Sequence, residues 1–117
     1  MKANEFVKKF GLGEAKVLIA KHEKCYMPDV FDMWSDELQD FVLAKKYASF
    51  DMIDLKRLVE SHELVAIHGF EKSKEIVANA PSDDHFYSWT LGDSGVRDKT
   101  VNIGELRKAI ADVESCL

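Results

Sequence analysis

The chain has 117 residues, of which 46 % are hydrophobic and 32 % charged, with a formal net charge of −5. That apolar content can offset the entropy of ordering at this length, which excludes disorder as the main state and makes a metal or disulfide unnecessary for a core. No apolar run approaches the ~18 residues of a membrane-spanning helix, and Met1–Phe10 mixes Lys, Glu and Asn instead of forming the apolar centre of a signal peptide.

A short helix is predicted to end at Gly11, because glycine supplies the left-handed cap, with Leu12 in the position of the cap's hydrophobic contact. A second helix is expected over 13–24, with Ala15, Leu18, Ile19 and His22 on one face. Tyr26–Trp34 and Phe41–Phe50 are expected as strands, although Leu38, Phe41 and Val42 would also suit a helix opened by Ser35. A long helix follows over 51–68, capped by Asp51 with Asp54 three residues on, and striped by Leu55, Leu58, Val59, His62 and Val65. Gly69 separates it from a helix over 70–79 that Asn79-Ala80-Pro81 stops. His85–Leu91 is aromatic and hydroxyl-rich, so it is predicted as a strand, with Gly92-Asp93-Ser94-Gly95 as hairpin loop and Val96–Val101 as the return. The last helix starts at Asn102, with Glu105 completing the capping pattern and Leu106, Ala109, Ile110, Val113 and Cys116 as its apolar stripe.

The elements come in the same order twice. Residues 6–20 align with 64–78 at an offset of 58, with Val7/Val65, Gly11/Gly69, Lys16/Lys74 and Ala20/Ala78 identical. Residues 51–60 align with 102–111 at an offset of 51, with Leu55/Leu106 identical and Asp54/Glu105, Lys56/Arg107 and Arg57/Lys108 alike in charge. The expected fold class is therefore α+β: one domain over 1–117 built from two copies, about 4–60 and 61–117, of a helix-helix-hairpin-helix unit. The first copy carries seven extra residues in its middle.

Charge is unevenly placed. Residues 1–24 sum to +3, residues 25–44 to −5 with no base at all, residues 45–78 to zero and residues 79–117 to −3. Cys25 and Cys116 are expected as reduced thiols of a cytoplasmic protein. His22-x-x-Cys25 is the one metal-like spacing, but no second pair joins it, so neither a metal nor a cofactor is expected. Catalysis is not expected either. Gly11-Leu12-Gly13 is too short for a phosphate loop, and His85 beside Asp83 and Asp84 has nothing to act on.

Nucleic-acid binding is the runner-up reading. Segment 54–78 reads as helix, glycine, helix, but Glu71, Lys72, Lys74 and Glu75 nearly cancel on the helix that would read bases. Lys8, Lys9, Lys16, Lys21 and Lys24 would be its phosphate contacts in a small DNA-binding regulator.

Protein binding is favoured by the middle of the first copy. Cys25–Phe41 combines five acids with Tyr26, Met27, Phe31, Met33, Trp34 and Phe41, and the extra residues of the first copy fall here. Insertions in repeated folds are where function usually sits. Aromatic and Met anchors ringed by acids suit a basic partner. The candidate residues are Asp29, Phe31, Asp32, Trp34, Asp36, Glu37 and Asp40, the acids pairing with Lys or Arg and the two aromatics filling apolar pockets. The plainer reading makes these aromatics core residues of strands and the acids their solvent edge.

The phrases NEFVKKFG…EAK, DLKRLVESHELV…HG and EKSKEIVANAP resemble small accessory proteins of lambdoid phages and enterobacterial prophages. The resemblance lies in the helical parts of both copies, and residues 24–50 and 82–101 have no counterpart in it. It brings over no catalytic residue. It implies a setting in which many proteins act against host defence or host regulation. The expected function is thus that of a non-enzymatic anti-defence protein of anti-CRISPR or anti-restriction type, cytoplasmic in the host cell. It would be a monomer or homodimer, without membrane contact, and would inhibit a host complex that presents a basic surface.

Overall fold

The computed structural model describes residues 1–89 and 99–117. Helix α1 runs Ala3–Glu23 and is interrupted at Gly11, which takes φ 87° and ψ 170°. A side chain makes that region of backbone space strongly unfavourable, so glycine stands at the kink, and α1 is two helical segments broken there, as expected from the sequence. Phe6, Val7, Ala15, Leu18 and His22 are on its buried face.

Strands β1 (Met33–Ser35), β2 (Asp40–Val42) and β3 (Phe50–Asp51) form an antiparallel sheet in the order β2-β1-β3. Trp34 stands opposite Phe41 on one side and Phe50 on the other. Two expectations are corrected here. Residues 26–32 are not strand: they turn back after α1, with Met27 at φ 49° and its carbonyl accepting the N–H groups of Val30 and Phe31 at 2.9 and 3.0 Å. Pro28, lacking an N–H, suits a turn and not a ladder. Nor is Phe41–Phe50 a single strand: after β2 the chain passes through a 3-10 turn at Lys45–Tyr47 before β3. Ala44-Lys45-Lys46 breaks the alternation that a half-buried strand needs.

The β1–β2 connection is a tight hairpin loop over residues 36–39. The Ser35 hydroxyl accepts the Leu38 N–H at 3.1 Å, and the Gln39 side-chain amide donates to the Asp36 carbonyl at 2.7 Å. Gln39 takes φ 53°, the left-handed conformation that closes the turn.

Helix α2 (Met52–Ala66) starts directly from β3, and the Met52 N–H donates to the Asp32 carbonyl at 2.8 Å. Gly69, at φ 86° and ψ 159°, precedes helix α3 (Phe70–Asn79). Strands β4 (Phe86–Trp89) and β5 (Lys99–Asn102) pair antiparallel, with Tyr87 opposite Val101. The expected loop Gly92–Gly95 and the ends of the two expected strands that flank it lie outside the described residues. Helix α4 (Ile103–Ser115) follows β5, and the Ile103 N–H donates to the His85 carbonyl at 2.9 Å. The Asn102 side-chain oxygen accepts the Glu105 N–H at 3.1 Å, which is the expected N-cap.

The chain divides into two compact units, Met1–Glu60 with Ser115–Leu117, and Ser61–Glu114. The first is built on Phe6, Val7, Ala15, Leu18, Trp34, Phe50, Met52, Leu55 and Leu58, with Cys116 joining from the C-terminus. The second is built on Val65, Ile76, Val77, Val101, Ile103, Leu106, Ile110 and Val113. The fold is α+β, with helices packed on two small antiparallel sheets. Among the described residues no helix is long and apolar enough to cross a membrane.

Candidate protein-binding surface

The surface at issue lies in the first unit, over residues 25–43. Its frame is set by His22. This ring is buried on the last turn of α1, and its Nε2 lies 3.0 Å from both the Pro28 and the Phe31 carbonyls. Carbonyls only accept, so Nε2 carries the proton and ties the turn to the helix end. Its Nδ1 is buried without a hydrogen-bond partner among the described residues. His22 is thus committed to holding the turn, and the described residues contain no group of three or more His, Cys, Asp or Glu that could hold a metal.

The candidate residues divide by exposure. Asp29, Glu37 and Asp40 are exposed, while Phe31, Asp32 and Asp36 are half-buried. Trp34 is a correction: it is only 9 % exposed and belongs to the core, so its ring does not reach out to a partner. It packs edge-on against Phe41 at 5.1 Å and contributes to the core that contains Phe6, Phe50 and Leu58. Tyr26, Met27, Val30, Leu38 and Leu43 are the exposed large apolar side chains of this stretch, Tyr26 at 80 %. Sequence reasoning underweighted them. The signal was Pro28, which marks Tyr26–Val30 as turn and so as surface.

The candidates also divide by place. Phe31 and Asp40 line one shallow cleft of about 190 Å3 together with Cys25, Tyr26 and Phe41. Asp36 lines a different one, with Trp34 and the α1 residues Glu14, Val17 and Lys21. Asp36 is held by its own loop, its N–H donating to the Ser49 hydroxyl at 3.0 Å and its carboxylate accepting from Gln39 at 3.2 Å. Asp32 takes part in the fold through its carbonyl, which receives the first N–H of α2.

The stretch thus presents exposed apolar side chains and carboxylates on two separate features, the turn over 26–32 that His22 fixes at its base and the hairpin loop over 36–39. The five lysines of the nucleic-acid reading, Lys8, Lys9, Lys16, Lys21 and Lys24, are all exposed on or just after α1. They share that helix with Glu14 and Glu23, also exposed. In the second unit His85 is exposed, with its Nδ1 2.8 Å from the Ser82 hydroxyl, and Asp83 pairs with Arg107 at 2.9 Å.

No known family model, characterised protein or solved structure matches the chain.

Proposed function

We propose that the chain is a protein-binding inhibitor that docks a basic surface of a host complex onto the acidic, apolar-studded stretch 25–43 of its first unit. The reading places it in a host cytoplasm, as an accessory protein of phage or prophage type. A nucleic-acid-handling defence complex, of the CRISPR or restriction kind, is the target such a surface fits, because such complexes carry basic grooves. The observation that carries the proposal is the coincidence on one stretch of five acids, no base, and exposed Tyr26, Met27, Val30 and Leu38. A merely solvated acidic face would not need the apolar side chains.

The same reading takes the chain as two copies of one unit. Gly11 and Gly69, aligned by sequence, have backbone angles within a few degrees in φ. Aligned positions match in burial: Ala15 with Ser73, Met52 with Ile103, Leu55 with Leu106, Phe50 with Val101. In each unit the residue just before the first strand, Asp32 or His85, gives its carbonyl to the first N–H of the closing helix. The acidic stretch is where the two copies differ most, as expected of the part that acquired a function.

The test is an affinity pull-down from host-cell lysate, comparing the native chain with the D32K/D36K/E37K variant. The expected result is a stoichiometric partner that the variant loses while its melting temperature stays within a few degrees. A partner retained by the variant overturns the reading. So does a chain that recovers only nucleic acid and shifts DNA in gels at low salt, which would transfer the function to the α1 lysines.

A further inference from the structure

Two clefts, one in each unit, are lined by corresponding residues. The first has a volume of about 170 Å3 and is lined by Glu14, Val17, Leu18 and Lys21 of α1 and Trp34 of β1, among others. The second has a volume of about 270 Å3 and is lined by Lys72, Glu75, Ile76 and Asn79 of α3 and Tyr87 of β4, among others. The four helix positions are related by the offset of 58 that aligns Gly11 with Gly69. Trp34 and Tyr87 correspond as well. Each lies two residues past the carbonyl that takes the first N–H of the closing helix, and each faces the penultimate residue of the return strand, Phe50 or Val101.

The clefts have kept an aliphatic residue, Leu18 or Ile76, and an aromatic wall, while their rims have changed. Lys72 stands where the first unit has Glu14, and Asn79 where it has Lys21. Both retain apolar side chains in solvent: Phe10 and Val17 at the first, Phe86, 67 % exposed, at the second. Trp34 is nine-tenths buried, so its ring is a fixed wall of the first cleft. Both volumes fall below the ~300 Å3 at which drug-sized ligand sites begin, and each suits one apolar side chain.

We infer that each unit docks one apolar side chain of an extended protein segment in this cleft, so that the chain binds its partner at two corresponding sites. At the first, the docked side chain packs beside the Trp34 ring. Glu14 and Asp36 outnumber Lys21 on that rim, so the docked residue is flanked by Lys or Arg. At the second, Lys72 and Glu75 pair at 3.8 Å, and the docked residue is flanked by neutral sequence. The inference rests on the protein-binding reading and names what the partner inserts.

The test is a ¹H–¹⁵N NMR titration of the full chain with two capped tripeptides, acetyl-Lys-Phe-Lys-amide and acetyl-Ala-Phe-Ala-amide. Trp34→Phe assigns the Trp34 indole N–H. That resonance is expected to shift and saturate with the lysine peptide, and amides around Ile76 and Tyr87 with the alanine peptide. Phe10→Ala should weaken the first site about tenfold and spare the second, and Phe86→Ala should do the reverse, as expected for apolar anchors. Both replaced side chains are exposed, so both variants fold. The absence of saturable shifts at either cleft overturns the inference, as does loss of both sites together. Free phenylalanine binding as tightly as the peptides would make these small-molecule sites and overturn it too. A pull-down partner lost on charge reversal but indifferent to Phe10→Ala and Phe86→Ala would sink this inference while leaving the protein-binding reading in place.

Discussion

Trp34 and Phe41 face each other across the β1–β2 ladder with ring centroids 5.1 Å apart and planes at 63°. Each also lines a different cleft: Trp34 the one beside α1, Phe41 the one that holds Phe31 and Asp40. The pair is therefore a shared wall, and Phe41 is braced from its other neighbour, His22, at 5.0 Å. Removing the Trp34 ring should destabilise the first unit by about 3–5 kcal/mol, the usual cost of a large aromatic-to-alanine change. Trp34→Phe should cost much less, under about 1.5 kcal/mol, because it conserves most of the volume and deletes a donor that has no partner among the described residues. Urea unfolding followed by circular dichroism separates the two.

Gly11 and Gly69 should tolerate D-alanine and reject L-alanine. Both sit at φ near +87°, and neither has any heavy atom within 4 Å of where a Cβ would lie. The objection to a side chain is therefore conformational and not steric. L-alanine should cost about 1–3 kcal/mol at each position, and D-alanine, introduced by chemical synthesis, should be neutral or stabilising. Gly13 is the control: it lies within helix α1, also with open space, and Gly13→Ala should stabilise by about 0.5–1 kcal/mol.

Asn102→Ala should lower stability by about 0.5–2 kcal/mol through loss of the α4 cap, with Asn102→Asp nearly neutral because it offers the same acceptor to the Glu105 N–H. Thermal unfolding of the three chains is the measurement. Equal losses for both substitutions would mean that the side chain matters for something other than the cap.

His22→Leu should leave α1 in place but release the turn beyond it. The Pro28 and Phe31 carbonyls lose their shared donor, a loss worth about 1–3 kcal/mol. Hydrogen exchange should speed up across residues 25–32 before it does in α2. If the surface described above is the binding surface, affinity for the captured partner falls with it, since Tyr26, Met27 and Asp29 are then presented by a mobile turn.

The helices were legible because their signals are local. An apolar stripe at helical spacing with a local start or stop signal suffices for each: Asp51 and Gly69 for α2, Gly69 and Pro81 for α3, Asn102 for α4; their observed ends lie within two residues of the expected ones. The strands of the first unit were not. They are two or three residues long, too short to show alternation, and their pairing joins Trp34 to Phe41 and Phe50 across a hairpin and a 3-10 turn. Of the acids of the candidate stretch, Asp29, Glu37 and Asp40 are exposed, as carboxylates usually are, while the turn and the hairpin leave Asp32 and Asp36 half-buried.

The amino-acid sequence by itself determined the helical frame, the two helix-breaking glycines and the concentration of negative charge over residues 25–44, because propensity, capping and solvation act within a few residues. Tertiary structure decided which aromatics are surface. Tyr26 and Trp34 lie eight positions apart in one aromatic, acidic stretch, and Pro28 is the local signal that separates them. One lies on a turn that Pro28 and His22 bend into solvent, the other between Phe41 and Phe50 in a sheet. Burial of a ring depends on what long-range pairing brings against it, so the sheet, and not the composition, made Trp34 a core residue and left Tyr26 exposed.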